Sequence, residues 1–488
     1  MTMKRLIMTL WLVALTLTAA AQTNVLVKGT STGAVGKHIE LYGYDDMLTM
    51  AERMMDDDVI AADGSFNLRC YANYPRLVFI QVENYSQSFY VEPGRTYEVY
   101  LPQFDWSLDE QRNIFLAPEP LPLEFMNLPK DELNLKISRF EEVVDSFVVA
   151  NRVYFDPKFH PQKRYFDSLR AEVRKKAPGG DPEKFLSRYE EYTLAEMQLS
   201  MKFTSRKKLI ARYITDQPIR YYDEQYMRLF LALYEGSISK GNNHIPLHRL
   251  TAWVEKGDLH TYIDSLGLDP LLRNEQVREL AALQALKESY YNTYYNRDKV
   301  RHMVEMLGNQ SKFADHKRLA QNLVANFTAR ERGSEMPTFE LPDVDRNMVN
   351  LEDLRGKWVY LSFVRVGDPN SLAEIETLAF FRDSIYARNK DVVFVSVCCD
   401  REFQKMYHFL RNNKKGHRYN WTWLHFDGNY KLLERYGVVS YPTFVLIGPD
   451  GRLQYDITPS PASGFLLRGP WEKKEEKKID DNLPFWQR

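Results

Sequence analysis

Cysteine is almost missing from this chain. Only Cys70, Cys398 and Cys399 occur among 488 residues, and no CxxC pair exists. Three thiols are too few for a small disulfide scaffold, and an odd number does not pair off. An excess of either charge is missing too. Lys and Arg number 65 against 66 Asp and Glu, a formal net charge of −1, so there is no electrostatic case for a nucleic-acid or anionic-membrane partner. The sequence contains no Walker A loop, GxSxG elbow, HExxH helix or dinucleotide fingerprint, and the chemistries those motifs carry lack their signatures here. No internal repeat is present, which sets solenoids aside. His244 and His248 have HxxxH spacing, but Pro246 between them breaks helical placement. No nearby cysteine completes a ligand set, so no metal is expected.

Long apolar runs are also scarce, with one exception at the start. Lys4 and Arg5 precede a 12-residue apolar run, Leu6 to Leu17, and Ala19 and Ala21 form a small-x-small site before Gln22. This pattern predicts a secretory signal peptide over residues 1–21. The run is shorter than the roughly 20 residues a membrane-spanning helix needs. Later runs are shorter still, so no span is expected in the mature chain. Export predicts a periplasmic or secreted location, where disulfides form.

Residues 22–117 read as β-rich. "NVLVKG", "HIELYGY", "SFNLRCY", "RLVFIQVE", "SFYVE" and "TYEVYL" are short β-branched or aromatic runs. "ADGS" at 62–65 and "EPGR" at 92–95 supply turn residues between them. An antiparallel sandwich or partial barrel follows. The segment 44–58, "YDDMLTMAERMMDDD", reads as a polar excursion with a helical turn.

From 118 to 332 the apolar period becomes helical. Leu135, Phe140, Val143, Val144 and Phe147 form one stripe, and Leu280, Leu283, Leu286 and Tyr290 another. Roughly seven to nine helices are expected from the window lengths. Tyr221–Tyr222 and Tyr290–Tyr295 are either packing residues with hydroxyls at the rim or the lining of a ligand groove. A pocket built from Tyr290, Tyr291 and Tyr294 would make this region a ligand sensor.

The carboxy-terminal third alternates strands and helices. The buried run "WVYLSFV" is followed by the turn "VGDPNS" and a helix over 371–388 with Leu372, Ile375, Leu378, Phe381 and Ile385 on one stripe. Next come "DVVFVSVCCD", a second helix, "WTWLHF", "YKLLERYG", and "VVSYPTFVLIGPDGRLQYDI", whose "PDG" joins two strands as a hairpin. The order predicts a mixed α/β sheet with a βαβ core. Cys398 and Cys399 follow an apolar strand, on which neighbouring side chains point to opposite faces, so the two read as buried, inert thiols.

"MPTFELPDVDRNMVNLEDLRGKWVYLSFV" and "VVSYPTFVLIGPDGRL" resemble the entry and the cis-proline strand of exported thioredoxin-like domains of the TlpA/ResA type. The resemblance covers residues 335–465, and 466–488 read as a charged tail with no full closing helix before it. The β-rich front resembles the unassigned domain found before many such domains. With the periodicities above, the expectation is a multidomain chain with three parts: an amino-terminal antiparallel β-sandwich-like domain, a central α-helical region and a carboxy-terminal α/β domain that the resemblance makes thioredoxin-like.

It also places the family's redox cysteines at Asp368 and Ser371, and its cis-proline at Pro442. Neither aspartate nor serine forms a mixed disulfide, so no catalytic residue is expected there. Asp-Pro is instead a helix-start signal, with Asp368 as cap and Pro369 as first helical residue. By the same resemblance, Ser440, Tyr441, Pro442 and Thr443 are the candidate contacts for a protein or peptide partner. No cofactor is implied. The leading expectation is a periplasmic binding or scaffold module without the redox dithiol. Its rival is a thiol–disulfide or peroxide-handling enzyme using Cys70, Cys398 or Cys399, for which a catalytic thiol must be accessible.

Overall fold

The computed structural model describes residues 23–104 and 118–471, apart from 157, 159–161, 182–183, 243, 387–388, 413–418 and 468. The expected signal peptide and the tail beyond 471 lie outside the described residues. The described chain divides into two compact units, one up to Phe327 and the other from Thr328 onward.

The first unit opens with a two-sheet β-sandwich. One sheet has the order β4-β1-β7-β9, built from β1 (Thr23–Ser31), β4 (Ser65–Ala72), β7 (Thr96–Leu101) and β9 (Glu124–Met126). The other has the order β3-β2-β5-β6-β8, built from β2 (His38–Tyr44), β3 (Glu52–Val59), β5 (Arg76–Val82), β6 (Tyr85–Val91) and β8 (Glu119–Pro120). Alternation decides which face is buried: in β4, Phe66, Leu68, Cys70 and Ala72 point inward and the intervening residues outward. They pack against Ile39, Leu41, Val78 and Ile80 of the opposite sheet. Most pairings are antiparallel, as expected, but β1 pairs β7 in parallel. That pairing joins strands far apart in sequence, which no hairpin signal encodes. Gly64 makes the β3–β4 turn at φ +84°, where a Cβ would lie 2.5 Å from the Ser31 carbonyl oxygen.

The segment 44–58 is a correction. It does not add a free helical turn with a polar excursion; residues 52–59 are strand β3 on the edge of its sheet. Asp58 and Asp56 reach across to accept the backbone N–H groups of Asn67 and Arg69 on β4, at 2.8 and 2.7 Å. The acidic run thus covers an open strand edge with its own carboxylates, a known defence against edge-to-edge pairing.

The same unit continues into ten helices among the described residues, slightly more than expected. They are α1 (Leu133–Ala150), α2 (Lys163–Lys176), α3 (Phe185–Ser200), α4 (Arg206–Tyr213), α5 (Glu224–Tyr234), α6 (Leu247–Lys256), α7 (Leu259–Leu266), α8 (Glu275–Tyr290), α9 (Arg297–Gln310) and α10 (Ala314–Thr328). The extra helices are short ones that a long sequence window merges. The α8 stripe is buried as predicted, whereas on α1 Leu135 is exposed and Leu133 and Ile137 take the core positions beside Phe140. Side chains also tie the sandwich to the helices. Tyr90 of β6 donates its hydroxyl to Glu224 at 2.6 Å, and Asn322 of α10 bonds both Asp45 and Asp46 of the β2–β3 loop.

Glu190 on α3 is buried, and burial pushes its carboxyl up to about 7. A carboxyl raised in the fold leaves its stability contribution intact below the ordinary value of about 4.5 and loses it as pH climbs towards 7. Glu190→Gln does not ionise. It is therefore expected to match the parent at pH 4 and to melt roughly 2–4 °C higher at pH 8, read from thermal scans at both values. An equal gain at both pH values would attribute the effect to packing instead of charge.

The second unit holds a four-stranded sheet of order β14-β13-β12-β15, from β12 (Trp358–Val364), β13 (Val392–Cys398), β14 (Thr422–His425) and β15 (Thr443–Ile447). Strands β12, β13 and β14 are parallel and β15 is antiparallel to β12. A small β10–β11 hairpin (Glu340–Pro342 and Met348–Asn350) precedes the sheet. Helices α11 (Pro369–Ser384), α12 (Phe403–Asn412) and α13 (Tyr430–Arg435) alternate with the strands. The central strand is buried on both faces, with Leu361 and Phe363 on one and Tyr360 on the other. Each such residue contributes about 1.5–3 kcal/mol.

Two expectations here need correction. Ile385 lies just past α11 and is exposed. The hairpin after "PDG" has no second strand: its far arm is reduced to isolated bridges, Ile447 to Leu453 and Glu335 to Arg452. Pro459 and Pro461 follow closely, and proline cannot donate to a ladder. Among the described residues, no helix is long and apolar enough to cross a membrane.

Candidate functional site

The site lies at the carboxy-terminal ends of β12 and β13, where open α/β sheets place their ligands. β12 runs out at Val364 and the chain turns through residues 365–368 into α11. Asp368 has extended backbone angles and its Oδ2 accepts the Ser371 N–H at 2.7 Å, with Pro369 as first helical residue. The fully buried Ser371 turns its Oγ back to accept the Arg365 N–H at 3.3 Å. The two positions read from the resemblance therefore stand together on one turn, each closing a backbone hydrogen bond. Asp368→Ala removes the cap and is expected to cost about 1 kcal/mol in urea unfolding, while Asp368→Asn, which keeps the acceptor, is expected to cost much less.

Beneath this turn sits a group that sequence reasoning missed. Asp400 is 3% exposed. Its Oδ2 accepts the Val366 N–H at 2.6 Å and the Cys398 thiol at 3.3 Å, and its Oδ1 lies 4.0 Å from Arg365 Nε. Its own carbonyl accepts Nε2–H of the buried His425 at 2.8 Å, and His425 Nδ1 accepts the Asp427 N–H at 3.1 Å. A carbonyl only accepts and an N–H only donates, so Nε2 of His425 is the donor and Nδ1 the acceptor, with both nitrogens in use. The available signal was position: Arg365 and Asp400 are charged residues one and two positions past two adjacent buried parallel strands.

All three cysteines are free and buried. Cys398 and Cys399 point to opposite faces of the sheet, Cys398 towards Ile375, Met406 and Trp423 and Cys399 towards Phe363, Val397 and Val438. Burial pushes each thiol above its ordinary range. For Cys398 the Asp400 carboxylate adds to the effect, and for Cys399 a hydrogen bond with Tyr441 opposes it. Cys70, in the sandwich core, is pushed up to about 11 by burial. Thiolate formation is disfavoured at all three.

The expected partner contacts divide between two surroundings. Tyr441 packs inward against Cys399, with the Arg365 guanidinium 5.9 Å from its ring centroid. Ser440, Pro442 and Thr443 line an open cavity of about 640 Å³ with Glu374, Tyr436 and Ile457. The Tyr441–Pro442 peptide is cis, and the Thr443 hydroxyl donates to the Ser440 carbonyl at 2.6 Å. Among the described residues no cluster of three or more His, Cys, Asp or Glu is arranged for a metal. In the helical region Tyr290, Tyr291 and Phe327 form one cluster of rings, with Tyr291 edge-on to Tyr290 at 5.2 Å. Tyr290 stacks on Phe327, while Tyr291 and Tyr294 are 61% and 72% exposed. Tyr221 donates or accepts at 2.7 Å with the buried His316, which in turn meets Glu279 at 2.9 Å.

Residues 332–456 match the AhpC/TSA family. Together with the β12–α11–β13 crossover and the antiparallel β15, this makes the second unit an AhpC/TSA domain of thioredoxin-like fold. Among solved structures, a protein described as a thiol-disulfide oxidoreductase from Bacteroides vulgatus is 25% identical over 28% of this chain and 90% of its own, with a TM-score of 0.25. A thiol-disulfide oxidoreductase from Bacteroides fragilis is 19% identical over 28% of this chain and 98% of its own, with a TM-score of 0.23. A protein described as the thiol:disulfide interchange protein DsbE from Chlorobium tepidum is 23% identical over 26% and 88%, with a TM-score of 0.23. No curated protein matches the chain.

Proposed function

We propose that this protein is an exported thioredoxin-like binding module whose second unit has lost the redox dithiol and holds a protein or peptide partner. One observation carries the reading. The turn where the family keeps its reactive thiols is closed by Asp368 and Ser371 through backbone hydrogen bonds, while every thiol of the chain is buried. Exchange needs an accessible thiolate, and this arrangement supplies none at the helix start. The loop 440–443 supplies the binding surface, as extended segments pair with exposed backbone in strand addition. Export rests on the charged, apolar and small-residue pattern of residues 4–21.

The test combines thiol titration of the native chain with insulin reduction. All three thiols are expected to label only after unfolding, with no insulin turnover above buffer. Fast native labelling of Cys398 or Cys399 together with turnover would overturn the reading in favour of an unconventional thiol enzyme. Fractionation of expressing cells tests the periplasmic location, expected to release a chain shortened at Gln22.

A further inference from the structure

His316 on α10 is fully buried, and its two ring nitrogens face different parts of the first unit. Nδ1 meets Glu279 Oε2 of α8 at 2.9 Å, and Nε2 meets the Tyr221 hydroxyl at 2.7 Å. Neighbouring contacts fix the direction of both bonds. Glu279 Oε2 also accepts the Ser311 hydroxyl at 2.7 Å, whose oxygen takes the Phe313 N–H at 3.1 Å. Glu279 is thus the acceptor of the group, and Nδ1 carries the hydrogen. Burial outweighs the pull of Glu279 and Asp315 and holds the imidazole below its ordinary range, so Nε2 carries none at neutral pH. Tyr221 therefore donates to Nε2, while its oxygen accepts the Gln276 Nε2–H at 3.0 Å. The hydrogens run one way, from Gln276 through Tyr221 and His316 to Glu279.

A further proton breaks this order. On Nε2 it aims at the phenol oxygen, where the Gln276 N–H already points, and the Tyr221 hydrogen has to turn away. Among the described residues the Tyr221 hydroxyl has no third partner, and a buried donor without an acceptor is costly. The charged and titratable groups around His316 are Glu275 and Glu279 on α8, Tyr221 and Tyr222 in the turn before α5, and Lys312, Asp315 and Arg318 beside it in the chain. Glu275 is paired with Lys312, and Asp315 with Arg318 at 2.9 Å. The turn has a second attachment. Tyr222 donates its hydroxyl to Asp315 at 3.1 Å, and its ring lies 5.2 Å from that of Tyr74 and 4.8 Å from the Arg318 guanidinium. Arg318 in turn bonds the Asp45 carbonyl of the β2–β3 loop. Residues 221–222 thus join α8 and α10 to the sandwich.

We infer that His316 is a proton sensor: when it takes a proton, the Tyr221–Tyr222 turn releases α8 and α10 and loosens the sandwich on the helices. The sign follows from burial. A histidine kept neutral in the closed form leaves that form undisturbed above its ordinary value of about 6.5 and weakens it progressively as pH falls below. The inference is independent of the binding reading of the second unit.

The test is hydrogen exchange of the intact chain at pH 7 and pH 5, corrected for the intrinsic rate at each. Protection of the Tyr221–Tyr222 turn and of the Asp45–Leu48 loop is expected to fall roughly tenfold, against a ceiling of about 25-fold for one proton taken up at about 6.5 in the open form. Protection in the second unit is expected to stay the same. Glu190, raised towards 7, works in the opposite sense over this range, and His316→Gln separates the two. Glutamine keeps a donor for Glu279 and an acceptor for Tyr221 but takes no proton, so the turn is expected to stay protected at both values. Histidine-selective NMR of the parent keeps the test independent of how that variant folds. One of the ten imidazoles is expected to remain neutral below pH 6 and to take its proton together with the loss of protection. Equal protection of the parent turn at both pH values would overturn the inference. So would a His316→Gln chain that keeps the pH dependence, or a loss of protection spread evenly over both units.

Discussion

Asp400→Ala is expected to destabilise the second unit by about 2–4 kcal/mol, the largest loss of any single polar change at the site. The carboxylate is buried and works as the acceptor for a turn that has few others: Val366 N–H at 2.6 Å, the Cys398 thiol at 3.3 Å, and the Arg365 guanidinium at 4.0 Å. Alanine leaves a buried N–H without an acceptor and a cation without its counter-charge. Asp400→Asn keeps an oxygen for the Val366 N–H and is expected to recover part of the loss. Urea unfolding followed by tryptophan fluorescence measures both, since Trp358, Trp421, Trp423 and Trp471 all lie in this unit. A loss below about 0.5 kcal/mol, the size of an ordinary surface change, would show that the turn is held by other means. The same variant carries a second readout. The carboxylate helps to hold the Cys398 thiol above its ordinary range, so its removal is expected to speed native labelling of that cysteine.

The double variant Asp368→Cys with Ser371→Cys is expected to form a disulfide reducible by dithiothreitol and to reduce insulin at a rate at least roughly tenfold above the parent's background. The physical case is the geometry already present. The two positions lie on one turn at the start of α11, close enough that Asp368 Oδ2 reaches the Ser371 N–H at 2.7 Å. A thiol at a helix start has its thiolate favoured by the exposed N–H groups and the helix dipole. Losing the Asp368 cap costs about 1 kcal/mol, which a folded AhpC/TSA domain tolerates. Circular dichroism and the melting temperature check folding independently. A folded double variant that neither closes the disulfide nor reduces insulin would sink the idea that the turn keeps its redox geometry. Turnover in the parent chain would sink the idea that its chemistry is lost.

The two experiments probe different parts of one construction. Asp368 and Ser371 close the turn from within; the Asp368 cap was readable because a cap and a first-turn proline are local signals, whereas the Ser371 bond to the Arg365 N–H was not read. Asp400 supports the turn from a different strand, and nothing local in "VCCD" marks it as the acceptor for Val366. The same division runs through the rest of the molecule. The alternation in "SFNLRCY" was legible because the strand's own period selects its buried face, whereas α8 is buried on nearly all sides from Glu279 to Leu286, which its apolar stripe did not announce. Leu135 was misplaced because a stripe on one helix does not say which neighbouring helix covers it.

The acidic run at 52–59 shows the limit most clearly. Its three consecutive aspartates and its methionines read as a surface excursion, since charge runs are normally solvated. The structure uses two of those aspartates as acceptors for the β4 edge, a role that exists only once the edge strands of the two sheets lie side by side. The far arm of the final hairpin fails for a related reason: the "PDG" turn is a sound local signal, but the strand it announces is dispersed by prolines a few residues later.

By itself, then, the sequence determined the kinds of elements and their order, the thioredoxin-like alternation of the second unit, and the helix start at Asp368-Pro369. Periodicity, capping and turn chemistry act over a few residues and need no partner to be read. Only the tertiary structure decided the parallel β1–β7 pairing and the placement of Asp400 under the turn. Each of these depends on groups brought together from distant parts of the chain, where desolvation and hydrogen-bond completion, instead of local propensity, select the arrangement.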